Sequence, residues 1–509
     1  MTAARGSGVW VVGAVDQAGT ERFAASLARM LRPGDVVTLG GGLGAGKTTF
    51  ARALIRALAQ DPELEVPSPT FTLIQTYETP LPVVHADLYR IGSPDELEAL
   101  GWNEAGDGAL MLIEWAERAG TLPPDRLEVV LDIAGDSGEG RTIALYPHGS
   151  FAERLDMIEA IHEVIEAAGY GDAERRHLQG DASSRAYDRL VRPDGDSAIL
   201  MIAPRRPDGP AVRHGKPYSQ IARLAEDVKP FVAMAQGLRA RGFSAPEIYA
   251  ANLEAGLLVT EDLGPETAVE NGAPIEERYM EAVAVLAALH QMNLPQTLPV
   301  DGATAHTIPP YDLDALLIEC ELLLDWYLPH RGHTALSANA RNAFVDLWTA
   351  ALQPLLARPL TWTLRDYHSP NLIWLPAREG IRRVGLIDFQ DCVLGPPAYD
   401  VVSLSQDARI DVPDDLELRL VSHYVRLRRA ADPEFDAATF AADYAIMGAE
   451  RATKILGIFA RLNARDGKPG YLRHLPRIER NVRRCLLHPA LEPLAAWYRQ
   501  HLPMLFVEG

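Results

Sequence analysis

Gly41-Gly42-Leu43-Gly44-Ala45-Gly46-Lys47-Thr48 is a complete Walker A pattern. Its glycines let the backbone curl around phosphate oxygens and turn several N–H groups inward. The helix expected over residues 47–60 adds the positive end of its dipole. The pattern assigns Lys47 to the β- and γ-phosphates and the Thr48 hydroxyl to a magnesium ion, with Gly41, Gly44, Ala45, Gly46 and Thr49 completing the cradle. The apolar run at 36–39 supplies the preceding strand. A metal partner is then sought at a strand end. Leu110-Met111-Leu112-Ile113-Glu114 closes on a carboxylate, which makes Glu114 the metal ligand. Asp87, after Val83-Val84-His85-Ala86, is the rival, read as a switch or water-positioning acid. There is no Asn-Lys-x-Asp motif to read guanine, so ATP is preferred over GTP.

Outward from this loop, strand-like runs fall at 9–15, 35–40, 71–76, 83–86, 109–114 and 127–133, and helical spacing falls at 20–31. The alternation predicts an α/β P-loop NTPase domain over residues 1–150. It closes near Pro147-His148-Gly149, and an amphipathic helix at 152–168 opens a second domain, residues 151–509.

The second domain carries its own phosphate chemistry. Arg365-Asp366-Tyr367-His368-Ser369-Pro370-Asn371 precedes Leu386-Ile387-Asp388-Phe389. In a kinase-like fold one Asp takes the acceptor's proton, and an Asn five residues on joins a later Asp on Mg²⁺. Asp366 is the expected catalytic base, and Asn371 and Asp388 the metal ligands. Asn371 opens a hairpin that Asp388 closes, and antiparallel pairing brings such positions together. Strand-like runs at 189–191, 198–202 and 257–261, then mostly helical sequence from 275, predict an α+β two-lobed protein-kinase-like domain.

Composition narrows the setting. The chain has 509 residues, 47% apolar and 23% charged, which is ordinary for a globular protein. A net charge of −20 opposes a broad nucleic-acid surface. Cys320, Cys392 and Cys485 are too few and scattered for a disulfide framework or a zinc site. There is no signal-peptide pattern at the N-terminus and no apolar run long enough for a membrane span. A cytoplasmic protein without membrane contact is expected.

Two family resemblances sharpen these expectations. Residues 16–147 resemble the TsaE family through Leu43–Phe50, Ser68-Pro69-Thr70-Phe71-Thr72-Leu73, His85-Ala86-Asp87-Leu88-Tyr89-Arg90 and Ile113-Glu114-Trp115. The resemblance implies the ATPase subunit of the machinery that makes threonylcarbamoyladenosine in tRNA. It implies a switch loop at 68–72 and a nucleotide contact from Thr20. It also implies threonylcarbamoyltransferase subunits as partners, with tRNA reached only through them. Gly42 departs from the family's frequent Asp.

Residues 153–500 resemble aminoglycoside-phosphotransferase-like kinases, and among them the anomeric N-acetylmuramate/N-acetylglucosamine kinases of cell-wall recycling. The resemblance rests on Gly180-Asp181-Ala182-Ser183-Ser184-Arg185, Thr260-Glu261-Asp262-Leu263-Gly264, Arg365–His368, Asp388-Phe389-Gln390-Asp391 and Gly395–Leu404. It implies that Gly180, Ser183 and Arg185 cover the ATP phosphates, that Glu261 and Leu263 form the adenine hinge, and that an amino sugar is the acceptor. One departure is the third strand, Ile199-Leu200-Met201-Ile202-Ala203-Pro204, which lacks the usual lysine. Arg185, Arg205, Arg206 and Lys216 are open substitutes. A pseudokinase interaction module and a choline- or aminoglycoside-type kinase are the alternatives. His368 is expected to be structural, Trp374 a core residue, and Tyr399 and Asp400 braces of the catalytic loop. Asp391 is read equally as a sugar contact or a turn. Each signature is complete within its own segment, so the two sites are expected to work independently.

Overall fold

Strand order in the N-terminal part of the chain follows from where its apolar runs can be buried. The computed structural model describes residues 2–6, 9–14, 16–93, 96–97, 106–134, 140–178, 185–205, 208–333 and 335–506. The first sheet has eight strands: β1 (Thr2–Gly6), β2 (Val9–Ala14), β3 (Val36–Gly40), β4 (Ile74–Tyr77), β5 (Val83–Asp87), β6 (Leu110–Glu114), β7 (Arg126–Ala134) and β8 (Gly140–His148). They lie in the order β1-β2-β8-β7-β3-β6-β5-β4. β3 pairs in parallel with β6 and β7, and β5 in parallel with β6. These central strands are buried almost throughout, as parallel strands covered on both faces must be. α1 (Gln17–Ala28) and α2 (Lys47–Ala59) cover one face. Phe23, Leu27, Phe50 and Leu54 join Val37, Leu39, Leu110 and Leu112 in that core.

Two of the expected elements take different bounds. α1 starts three residues earlier than its apolar spacing suggests, because the Asp16 carboxylate accepts from the Gly19 N–H at 2.7 Å and caps the helix. The run at 71–76 is not one strand. Leu73 takes a positive φ of 67° and its N–H returns to the Pro69 carbonyl at 2.7 Å, so a turn occupies its first half. Phe71, at the crest of that turn, is 86% exposed.

Helix Phe151–Ala167 follows β8 and is shared by two cores. Phe151, Leu155 and Ile158 pack with α1, α2 and the eight-stranded sheet. Ile161, Val164 and Ile165 pack on a five-stranded sheet with Leu190, Leu200, Leu257 and Val259. That sheet contains β9 (Glu174–Leu178), β10 (Ala186–Val191) and β11 (Ser197–Ile202), followed by strands Leu257–Glu261 and Ile248–Asn252. By contacts the chain forms two compact units, Met1–Ile202 with Tyr249–Thr260, and Ala203–Ile248 with Glu261–Gly509. The second unit is mainly helical, and its longest helix, Ala437–Asp466, carries buried Glu450 and Arg451 and half-buried Lys454. No helix among the described residues is long and apolar enough to cross a membrane.

Two candidate phosphate sites

The Walker A loop sits between β3 and α2. Gly41 has φ 127°, and a Cβ there would lie 2.2 Å from the Leu131 carbonyl oxygen, so only glycine fits. Gly46 caps α2 in the left-handed region at φ 103°. Lys47 is 5% exposed, and its ammonium donates to the carbonyls of Gly41 at 2.8 Å and Gly42 at 2.9 Å. The ammonium also stands 4.0 Å from the centre of the Trp115 ring. Burial lowers its pKa, against the opposing pull of Glu114, Asp87 and Glu117.

β5 and β6 run in parallel with Asp87 opposite Glu114, so both candidate acids end at the same rim. The Thr48 hydroxyl donates to the Glu114 carboxylate, 3.0 Å from Oε1 and 3.1 Å from Oε2. Asp87 accepts from the Thr70 hydroxyl at 2.6 Å and the Tyr89 N–H at 2.9 Å. Thr70 lies in the 68–72 segment, which ties that segment to the strand end. Thr20 is 2% exposed, and its hydroxyl donates to the Asp16 carbonyl at 3.3 Å.

In the second site the hairpin pairs Leu372 with Leu386 and Trp374 with Val384. Asn371 sits in the turn just before it and Asp388 just after. The Asn371 Nδ2 donates to Asp388 Oδ2 at 3.2 Å and to the Asp366 carbonyl at 2.9 Å. The Gln390 side chain holds the other Asp388 oxygen at 2.7 Å. Thus three separated residues meet within one hydrogen-bonded group. The Asp366 side chain itself remains 42% exposed. Burial raises its pKa, but His368, Lys454, Arg365 and Arg451 outweigh this and hold it below the usual value.

The loop bearing Asp366 is fixed from behind. Asp400 is fully buried and accepts the N–H groups of Leu364 at 2.6 Å and Arg365 at 2.9 Å. Burial pushes its own pKa up to about 7. Arg365 adopts φ 67°, strained for a side chain of this size, and its guanidinium pairs with buried Glu319 and donates to the Ala222 carbonyl at 2.9 Å. His368 is buried, its pKa lowered to about 4 mainly by burial, and it accepts from Arg409 at 3.1 Å. Trp374 is buried, with the guanidinium groups of Arg278 and Arg383 5.1 and 4.1 Å from its ring centre. Asp391 accepts the Ala225 N–H at 2.6 Å, a long-range tie across 166 positions of sequence. Glu261 is clamped by Arg378 at 2.6 Å and Arg239 at 3.4 Å. Leu263 presses on the hairpin so closely that a Cβ on Gly385 would meet its Cδ1 at 3.0 Å.

A family model described as threonylcarbamoyl adenosine biosynthesis protein TsaE matches residues 14–143. The phosphotransferase enzyme family model matches residues 174–443. An N-acetylmuramate/N-acetylglucosamine kinase of Caulobacter vibrioides is 40% identical over 353 residues, 67% of this chain and 95% of that protein. A protein of the same description from Neisseria meningitidis serogroup B is 31% identical, covering 64% and 90%. The tRNA threonylcarbamoyladenosine biosynthesis protein TsaE of Rickettsia felis is 39% identical over 143 residues, 28% of this chain and 82% of that protein. The chain belongs to both families, a TsaE domain fused to a phosphotransferase.

Both families use ATP. Two residues of the TsaE domain gain a role that the sequence did not assign them, His85 within a quoted motif and Arg141 outside all of them. His85 is fully buried with Nε2 3.0 Å from Glu114 Oε1, which fixes that carboxylate. Arg141, on β8, donates from Nε to the Ala45 carbonyl at 2.7 Å and braces the Walker loop. Its place ninety-six residues away in sequence left no local signal. In the phosphotransferase domain, Gly180 and Ser183 lie outside the described residues, as does Arg206. Arg185 is half-buried, immediately before β10. Arg205 lies 3.9 Å from Glu226, and Lys216 is exposed. Among the described residues no group of three or more His, Cys, Asp or Glu side chains forms a metal cluster.

Proposed function

We propose that this is a bifunctional cytoplasmic protein with two ATP sites. Residues 1–150 act as the ATPase subunit for threonylcarbamoyladenosine formation, bind threonylcarbamoyltransferase subunits, and reach tRNA only through them. Residues 151–509 transfer a phosphoryl group from ATP to the anomeric hydroxyl of an amino sugar, N-acetylmuramate or N-acetylglucosamine. The names of the relatives support the two activities. The observation that supports the kinase reading is that the Asn371 amide bonds both the Asp388 carboxylate and the main-chain carbonyl of Asp366.

In the first site Lys47 swings from its own loop carbonyls to the nucleotide's phosphates, with Gly41, Gly44, Ala45, Gly46 and Thr49 around them and Thr20 nearby. Thr48 and Glu114 present a hydroxyl and a carboxylate, hard oxygen donors that suit Mg²⁺. Asp87, linked to the switch segment through Thr70, orients the attacking water. In the second site Asn371 and Asp388 supply a similar oxygen pair for Mg²⁺. The ion's contribution in both sites is to neutralise phosphate charge. Gly180, Ser183 and Arg185 cover the phosphates, and Glu261 and Leu263 hold adenine. Asp366 is held ionised by its surrounding cations. It accepts the proton of the sugar hydroxyl as that oxygen bonds to the γ-phosphorus and ADP leaves. Asp366→Asn keeps the shape but accepts no proton, and is expected to lower phosphoryl transfer by about 10²–10⁴-fold while nucleotide affinity holds. Wild-type turnover in that variant would overturn the assignment.

A further inference from the structure

Among the described residues β9 is the outer strand of the five-stranded sheet and pairs with β10 alone. An edge strand of five residues has little of its own to hold its angle. Here α1 of the TsaE domain supplies the missing support. Asp188, on β10, is 4% exposed and lies opposite His177 in the register. Its carboxylate accepts from Arg175 Nη2 at 2.6 Å and Nε at 3.1 Å, and lies 3.2 Å from His177 Nδ1. Arg175 spends its remaining arm on the Ser26 hydroxyl, at 2.8 Å. Arg29 reaches the same cluster, 3.5 Å from Asp188 and hydrogen-bonded to the Arg175 carbonyl. Ser26 lies on α1 and Arg29 is its C-cap, while Arg175 and Asp188 belong to neighbouring strands of the phosphotransferase. The Arg175 and Asp188 side chains are only 12% and 5% exposed, so their ionic hydrogen bonds hold position better than exposed pairs do, while Arg29 and His177 join them from the exposed rim.

We infer that Ser26 and Arg29, although part of the TsaE domain, are positioning residues for the phosphotransferase's nucleotide site. They fix β9 and β10, and β10 carries Arg185 at its entrance, three residues before Asp188. The inference rests on the kinase reading of that site, but its test needs no acceptor. It replaces the expectation of two wholly independent halves: the motifs are separate, while the scaffold of one is braced by the other.

The test uses the full chain with Lys47→Ala, which silences the Walker site, so that calorimetry reads ATP binding to the second site alone. Adding Arg29→Ala, or Ser26→Ala with Arg29→Ala, is expected to weaken that binding by roughly three- to tenfold, the net size of about one ordinary hydrogen bond. Arg29→Lys, which keeps the cation, is expected to restore most of it. Where turnover is measured, KM for ATP rises and KM for the sugar stays constant. Unchanged ATP affinity in the double substitution overturns the inference. Equal loss in Arg29→Lys and Arg29→Ala also overturns it, as does a parallel rise in both KM values. Ser26→Ala removes one hydroxyl only and keeps the test readable if the arginine variants fold poorly. Absence of any sugar phosphorylation by the wild type, with these affinity shifts intact, would strike the acceptor assignment and leave the bracing in place.

Discussion

Asp400→Ala tests how the kinase loop is held. The carboxylate is the acceptor for two buried backbone donors, the N–H groups of Leu364 and Arg365. Alanine leaves both without a partner in a site with no exposure. Each orphaned buried donor costs about 1–3 kcal/mol, so the local loss is about 2–6 kcal/mol. Part is offset, because a carboxyl with its pKa raised to about 7 is itself strained by burial at neutral pH. Arg365 also has a positive φ that its surroundings must enforce, so loosening this anchor lets the residue before Asp366 relax. Hydrogen exchange followed by mass spectrometry reads the effect directly. Even the lower end, about 2 kcal/mol, corresponds to a roughly thirtyfold faster exchange of the peptide containing residues 364 and 365. Sugar phosphorylation falls with it, while hydrolysis at the Walker site does not. Unchanged exchange and unchanged kcat in Asp400→Ala would refute the bracing role.

Lys47→Ala is expected to abolish ATP hydrolysis by the TsaE domain, since the phosphates lose their principal cation, and to leave sugar phosphorylation running; loss of both activities in separate steady-state assays would contradict the residue assignments. Lys454→Met removes a cation that lowers the Asp366 pKa, so that pKa rises and the acidic limb of the kcat–pH profile moves to higher pH; a limb at the wild-type position would count against the electrostatic role. Leu155→Ala, at a residue 1% exposed in the TsaE core, is expected to cost about 2–5 kcal/mol in denaturant unfolding of that domain; a change below about 0.5 kcal/mol would show that helix Phe151–Ala167 is not part of its core.

Chemistry was more legible in the sequence than support. Lys47, Thr48 and Glu114 announce themselves because phosphate and metal binding need particular residue types at short spacing. The Asn371–Asp388 meeting could be counted off a hairpin. The Gly140–His148 strand has no strong apolar run and escaped notice, although it delivers Arg141 to the Walker loop. The Arg175–Ser26 bond joins positions 149 residues apart, and nothing about a serine on a helix surface marks it as a brace. Arg365 was visible as a motif residue, but its buried partner Glu319 lay in an ordinary apolar helix. Helix Phe151–Ala167 was expected as the start of the second domain. One continuous apolar stripe did not disclose that its two halves enter different cores.

The central claim is tested most directly by locating the phosphate that the full chain places on its sugar. Wild-type protein, ATP, Mg²⁺ and N-acetylmuramate or N-acetylglucosamine are combined, and the product is examined by phosphorus–proton correlation NMR. The account predicts a phosphate coupled to the anomeric proton, formed by wild type and lost with Asp366→Asn. Phosphate on the 6-hydroxyl, or no transfer to either sugar, would contradict it.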